Sequence, residues 1–305
     1  MQQTKEGNRK TRRLKFFKKK FFGPPPPEIT TRRALTPQEI SNALRLVHDV
    51  YVKNGYITPT RTGLKVTPWD TDPNSATFIA LKGSEITNVL GYIPDSTDLG
   101  LPAERTFPHE IATLRQKGTA CEFTNLAVTN GAQEAGVLTE LMKCPFSYAH
   151  LQNYRYVVGM VSPGIQEEFY AANTFTRQGP IKAPYNNPDD KVVLMVLDLK
   201  NLEQRLVQID RKRRRKGGED AVFLQEHWYE KNTLLRKDYP TTLQRWEDQA
   251  RTAYLDPALC KALVFESGIE EKYDPSIFKA VKSRWDQEVL RTAESLSEKV
   301  TEPIS

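Results

Sequence analysis

Hydrophobic and polar positions change period several times along the chain, and each change marks an element. Thr36-Pro37-Gln38-Glu39 has the form of a helix start, with Thr at the cap, Pro in the first turn and Glu three residues on. Ile40, Leu44, Val47, Val50 and Tyr51 then share one helical face, and Gly55 ends it. Residues 58–76, rich in Thr, Pro, Asp and Gly, predict a long loop. Ala76–Leu81 and Asn88–Ile93 predict a hairpin turning through Gly83-Ser84. After a loop over 94–102, His109–Lys117 predicts a helix closed by Gly118. The pattern then predicts a strand over Ala120–Val128, a loop of small polar residues over Thr129–Gly136 and a helix over Val137–Leu151. An apolar strand over Tyr156–Val161 is stopped by Ser162-Pro163-Gly164. A helix over Ile165–Thr174 and a strand over Lys191–Leu199 complete the run. A sheet with interspersed helices makes residues 34–200 one domain of α/β or α+β class.

Beyond residue 200 the character changes. Asn201–Ile209, Glu219–Lys237, Thr241–Tyr254, Pro257–Glu266 and Pro275–Val300 all favour helix. Leu243, Trp246, Ala250 and Tyr254, and again Phe278, Val281, Trp285 and Val289, recur at helical spacing, as core stripes do. Residues 201–305 therefore predict an all-helical C-terminal extension.

Charge sharpens this division. The formal net charge is +6, but residues 1–33 hold eleven Lys or Arg against two Glu, so the remainder is slightly acidic. Residues 1–33, with the polyproline stretch Pro24–Pro27, predict a basic, extended tail and a stiff spacer. Arg211–Lys216 is a second cationic block, followed by Gly217-Gly218. Such runs are either solvated flexible segments or surfaces for an acidic partner. Phe16, Phe17, Phe21 and Phe22 interleave with the first block, so residues 9–22 suit an anionic membrane surface. Nucleic acid is disfavoured as the partner, because no aromatic-basic sheet or helix-turn-helix signature accompanies the cations. The longest aliphatic run, Val192–Leu197, is far short of the ~20 residues that cross a bilayer. Three scattered cysteines and four histidines suggest neither a disulfide framework nor a metal site. The expectation is a cytoplasmic protein, peripheral to the membrane where residues 9–22 meet an anionic surface.

Candidate chemistry concentrates in Cys121–Leu138: a strand, a loop of small residues, then an apolar helix. Small residues let backbone N–H groups approach an anion, and the helix start adds partial positive charge. The loop could hold the pyrophosphate of coenzyme A or the phosphate of a phosphopantetheine arm, although any strand-to-helix turn uses similar residues. Downstream, Phe169-Tyr170-Ala171-Ala172-Asn173-Thr174-Phe175 closes an aromatic-rich helix.

This order of elements resembles the second half of the GNAT acyltransferase fold, a mixed sheet flanked by helices. The series Val50–Ile57, Asp95-Ser96, Gly100-Leu101-Pro102, Phe107-Pro108-His109-Glu110, Leu114-Arg115 and Glu122–Val128 narrows the likeness. It resembles the long-chain N-acyl amino acid synthases, a branch related to acyl-homoserine lactone synthases, over about residues 35–200. The resemblance implies transfer of an acyl group from a thioester, on acyl carrier protein or coenzyme A, to the α-amine of an amino acid. No permanently bound cofactor is implied. Glu122 is then expected as the base, with Asp95 as a second candidate and Tyr170 as proton donor to the leaving sulfur. Arg115 would hold a carboxylate, that of the acceptor or of Glu122. The splayed strands and the loop would bind the donor through Leu126, Val128, Asn130, Gly131, Ala132, Gln133 and Gly136. The central strands are expected to part near residues 126 and 158.

Bland readings stand beside these: Glu122 as a salt-bridged strand carboxylate, Asp95 as a turn cap, Tyr170 as core, and Arg115 as surface. Loop 129–136 carries no Arg or Lys, Glu134 opposes an anion there, and Pro163-Gly164-Ile165-Gln166 departs from the relatives' basic character. The competing reading is a GNAT-fold binding or scaffold protein that has lost turnover.

Overall fold

A computed structural model of the chain describes residues 26–129, 136–185, 187–202, 273–284 and 286. Within them, seven strands form one sheet in the order β1-β2-β3-β4-β5-β7-β6. The strands are β1 (Ile29–Arg33), β2 (Ala76–Lys82), β3 (Glu85–Pro94), β4 (Ala120–Val128), β5 (Tyr156–Val161), β6 (Thr176–Lys182) and β7 (Val192–Asp198). Every neighbouring pair is antiparallel except β4–β5, which is parallel. Parallel neighbours need a crossover, and the helix over Val137–Leu151 supplies it.

Among the described residues up to 202, four helices frame the sheet: α1 (Pro37–Lys53), α2 (Pro108–Arg115), α3 (Val137–Leu151) and α4 (Ile165–Ala172). Thr36 caps α1 as its sequence predicts, its Oγ1 accepting from the Glu39 N–H at 3.2 Å. The Glu39 carboxylate turns back over the helix start. It accepts from the Leu35 N–H at 2.7 Å and pairs with Arg32 of β1. That pair ties the edge strand to the helix start and holds the Glu39 carboxyl down at about 2.

Two apolar clusters lie on opposite faces of the sheet. One joins α1 (Ile40, Leu44, Val47) and α2 (Ile111, Leu114) to Trp69, Val89 and Val158. The other joins α3 (Leu141, Met142, Phe146) and α4 (Phe169, Tyr170) to Phe123, Val157 and Val193. Alternation along β4 assigns its side chains to these faces, and it changes phase once. Cys121 and Phe123 point to the second cluster, yet beyond Asn125 it is Leu126 that packs there and Ala127 that joins the first. Asn125 has φ of 54°, and the β3–β4 register shifts between Val89 and Gly91, so a bulge inserts one residue and flips the strand. Gly91 lies against it: a Cβ there would stand 3.0 Å from Thr124 Cγ2 and 3.3 Å from the Thr124 carbonyl oxygen.

Residues 275–284 are helical and return to the first cluster, burying Ile277, Phe278 and Val281. The stripe expected from Phe278 and Val281 is thus core of the main domain. Most of the expected extension (203–272 and 287–305), residues 1–25 and the block Arg211–Lys216 lie outside the described residues.

One expectation is corrected, and one strand was not foreseen. The tail ends earlier than residue 33, because Ile29–Arg33 pairs with β2 over its whole length and β-branched Ile29, Thr30 and Thr31 suit an edge strand. The segment Thr176–Lys182 is also a strand, although Gly179-Pro180 interrupts its pattern. Gly179 has φ of 70°, and the β6–β7 register breaks between Gln178 and Lys182.

The packing at the bulge gives a test. Gly91→Ala is expected to lower unfolding free energy by about 1–3 kcal/mol, as overpacking does. Urea denaturation monitored by tryptophan fluorescence measures it, with an unchanged midpoint the contrary result.

Candidate active site

Hydrogen bonding between β4 and β5 covers three residue pairs: Ala120–Tyr156, Cys121–Val157 and Glu122–Val158. β4 runs on to Val128 and β5 to Val161 without pairing, so the strands diverge just past Glu122 and Val158. The separation was expected near residues 126 and 158; on β4 it begins four residues earlier. Backbone groups on the β5-facing edge of residues 123–128 are left without a strand partner there. The resulting cleft is lined by Glu122, Phe123, Leu126 and Met160 at its throat and Tyr51, Tyr56, Lys65, Tyr170 and Tyr185 around it. An opening through the sheet is what brings residues of its two faces together.

Glu122 is 2% exposed, and its Oε2 accepts from the Ala103 N–H at 2.7 Å. Burial pushes the carboxyl up to about 8, opposed by the Ala103 hydrogen bond and the Lys65 cation, and reinforced by Asp95. A carboxyl with that affinity holds its proton near neutrality yet releases it within the range where amines lose theirs.

Tyr170 enters from the other face. Its ring packs edge-on against Phe175 with centroids 4.8 Å apart, and its hydroxyl makes no hydrogen bond among the described residues. Gly159 makes room for it, since a Cβ there would lie 2.8 Å from Tyr170 Cε1. Burial raises the phenol's pKa and the Glu122 carboxylate adds to this, so the hydroxyl stays protonated as a donor.

Sequence reasoning missed the group that shapes the throat. Lys65 Nζ donates to Asn125 Oδ1, the residue at the bulge, and lies 3.7 Å from Asp70 Oδ2. Asn125 Nδ2 donates to Asp70 Oδ1 at 2.6 Å. Asp70 belongs to the 3-10 turn Pro68–Thr71, and its Oδ2 accepts from the Thr67 N–H at 2.8 Å. Lys65 is the sole Lys or Arg among the described residues lining the cleft. A lysine in a segment patterned as a loop carries no periodic signal; the capping sequence Thr67-Pro68-Trp69-Asp70 could have marked the turn beside it.

Asp95 and Arg115 are not brought into this cleft, which corrects the roles expected of them. They line a separate cavity with Ser96, Glu104 and Tyr154. Arg115 binds Asp95 in bidentate fashion, Nε to Oδ2 and Nη2 to Oδ1 both at 2.7 Å, and also holds Glu104. With both oxygens of Asp95 engaged by a guanidinium, it is poorly placed as a base, and Arg115 already has its carboxylates. Leu126 lines the cleft; Val128 pairs with Asn88 at the strand end and does not. Gly136 has φ of 83° and turns the chain into α3, whose start has no side-chain cap among the described residues. Asn130, Gly131, Ala132 and Gln133 lie outside the described residues.

The raised Glu122 carboxyl makes two expectations. Direct titration by carboxyl-selective infrared or NMR should find a group ionising near 8 that Glu122→Gln abolishes. A proton kept to about 8 when folded, but released near 4.5 when unfolded, stabilises the fold fully at acid pH and progressively less as pH rises through that window. Relative to the parent, Glu122→Gln should therefore unfold at higher urea above pH 8 than it does at pH 5. Gly159→Ala should displace the Tyr170 ring and cost about 1–3 kcal/mol.

Residues 42–198 match the family model of the N-acyl amino acid synthase FeeM. Among solved structures, FeeM, an N-acyl amino acid synthase from uncultured soil microbes, is 19% identical with a TM-score of 0.50, covering 58% of this chain and 93% of that one. BjaI, a CoA-dependent acyl-homoserine lactone synthase, is 19% identical with a TM-score of 0.45, covering 59% and 88%. An acyl-CoA N-acyltransferase from Pseudomonas aeruginosa is 16% identical with a TM-score of 0.40, covering 55% and 97%. No curated protein matches the chain in sequence. With more than half its length matched by the family model, this chain belongs to the FeeM family of N-acyl amino acid synthases and is a GNAT-fold N-acyltransferase, moving an acyl group to an amine.

Proposed function

We propose that the protein transfers a long-chain acyl group from a pantetheine thioester, carried by acyl carrier protein or coenzyme A, to the α-amine of an amino acid. The observation that carries this reading is the meeting of Glu122, Lys65 and Tyr170 in the cleft that opens where β4 leaves β5. The pantetheine arm lies between the parted strands and its phosphate at the start of α3, where N–H groups and the helix dipole favour an anion. The acyl carbonyl then sits against the unpaired edge of β4, whose N–H groups supply the oxyanion donors.

The acceptor arrives as an ammonium. Glu122, in its ionised form, takes one proton and frees the nitrogen lone pair. The nitrogen attacks the thioester carbon, the tetrahedral intermediate collapses, the C–S bond breaks, and an amide forms. The thiolate takes its proton from Tyr170 Oη, the second proton that the nitrogen sheds in becoming an amide returns to the phenolate, and Glu122 passes its own proton to solvent. Lys65 attracts the acceptor's carboxylate, the role that Arg115 is barred from by its own ion pairs.

Purified protein supplied with long-chain acyl carrier protein or acyl-CoA, and a panel of amino acids, should release free thiol and yield N-acyl amino acids by mass spectrometry. No product from either carrier overturns the reading in favour of a binding protein. Glu122→Gln is expected to lower kcat/KM by about 10²–10⁴, the usual worth of a general base, and to remove an alkaline-rising limb centred near 8. Tyr170→Phe should cost less, since a thiolate leaves readily. Lys65→Met should raise KM for tyrosine while leaving KM for tyramine, which has no carboxylate, unchanged.

A further inference from the structure

The matched family region ends at residue 198, yet residues 273–284 are built into the same core. Their apolar side chains Ile277, Phe278 and Val281 pack in the first cluster with Trp69, Leu99 and Leu101. Their polar contacts are more selective, and both ends of the segment reach structures that form the cleft.

At one end, Tyr273 packs edge-on against Trp69 with centroids 5.8 Å apart, and its hydroxyl stands 3.5 Å from that of Tyr185. Tyr185 and its neighbour Pro184 line the cleft. Thr106 also holds Tyr185, its Oγ1 accepting from the Tyr185 N–H at 3.2 Å. A hydroxyl separation of 3.5 Å is long, so the ring contact and steric backing outweigh the hydrogen bond there.

At the other end, Arg284 binds Asp72 and Asp98 together, with Nε to Asp98 Oδ2 at 3.3 Å. The Asp72 side chain is fully buried, and Asp72 terminates the turn Pro68–Thr71 that carries Asp70. Asp70 in turn holds Asn125 at the bulge and lies beside Lys65. Two short chains of contact thus run from this one segment to residues that line the cleft: Tyr273 to Tyr185, and Arg284 through Asp72 and Asp70 to Lys65.

We propose that residues 273–284 are a positioning element for the amine acceptor, fixing Tyr185 and the Lys65–Asp70–Asn125 group from outside the family's shared region. The element touches neither thioester nor nucleophile and is not catalytic. It sets which acceptors fit and how tightly, while donor binding, governed by the β4–β5 gap and the start of α3, is independent of it. This rests on the acyltransfer reading of the cleft for its kinetic consequence, but its structural claim can be tested without turnover.

The test uses the full chain and two variants. Tyr273→Leu keeps apolar cover over Trp69 and removes the ring edge and hydroxyl facing Tyr185. Arg284→Lys keeps a cation near Asp72 and loses the fork that spans both carboxylates. Hydrogen–deuterium exchange should accelerate in peptides covering 183–187 for Tyr273→Leu and 64–72 for Arg284→Lys, with β5 and β7 unchanged. In turnover assays, acceptor KM should rise about threefold or more, the scale of one weakened polar contact, while donor KM stays fixed. Unchanged exchange in both cleft segments overturns the proposal whether or not the enzyme turns over. Equal rises in donor and acceptor KM also overturn it, showing a general loss of packing. A parent protein with no turnover but with the expected exchange pattern refutes the acyltransfer reading and leaves the positioning role standing.

Discussion

The parting of β4 from β5 is the constraint on which the rest of the site depends. A closed sheet would keep its two apolar clusters apart, with Glu122 under one face and Tyr170 over the other. Once pairing stops at Glu122–Val158, the faces communicate through the gap. The gap is sustained locally by the bulge at Asn125, which turns the strand's side chains over and leaves one edge unsatisfied. Asp70 and Lys65 hold Asn125 there through its side-chain amide. An amide at this position can donate to one group while accepting from the other, which neither a carboxylate nor an ammonium could do.

Electrostatics follows from this geometry. Glu122 is buried because the residue at the last paired position lies against the 3-10 turn Pro102–Arg105, where its carboxylate accepts from the Ala103 N–H. Its nearest dedicated partner is a neutral N–H rather than a cation, so burial prevails and the proton is held tightly. Asp95, two positions beyond Ile93 on the neighbouring strand, meets a bidentate guanidinium instead. Two carboxylates close in the sheet therefore have opposite occupations, one committed to an ion pair and the other left to exchange a proton.

Much of this was legible in the sequence. Helix and strand periodicity placed β2, β3, β4, β5, β7 and all four helices within a few residues, because these elements bury a continuous stripe against the sheet. β1 and β6 escaped since edge strands bury little and here carry arginines or a Gly-Pro pair. Glu122, Leu126 and Tyr170, singled out through the family resemblance, do line the cleft. Lys65, Asp70 and Tyr185 were not singled out, because each reaches the cleft from an irregular segment whose position is set by tertiary contacts. The same holds for Tyr273 and Arg284: a helical stripe announces a buried face but not which surface it will cover. Arg115 was a fair guess from residue type alone, undone by Asp95 and Glu104, which claim its guanidinium first.

The broken pattern of β6 has a consequence for how copies of this chain meet. A sheet's outermost strand exposes a row of hydrogen-bonding groups that could recruit a stranger. Here Pro180 contributes no N–H, and the kink at Gly179 bends the backbone out of register with any straight visitor. The opposite border, β1, ends in Arg32, paired with Glu39 of α1, and Arg33, bound to the Ser75 carbonyl, so its end is committed to contacts within the chain. Among the described residues both margins thus carry features that disfavour strand addition, and the sheet's one gap lies in its middle.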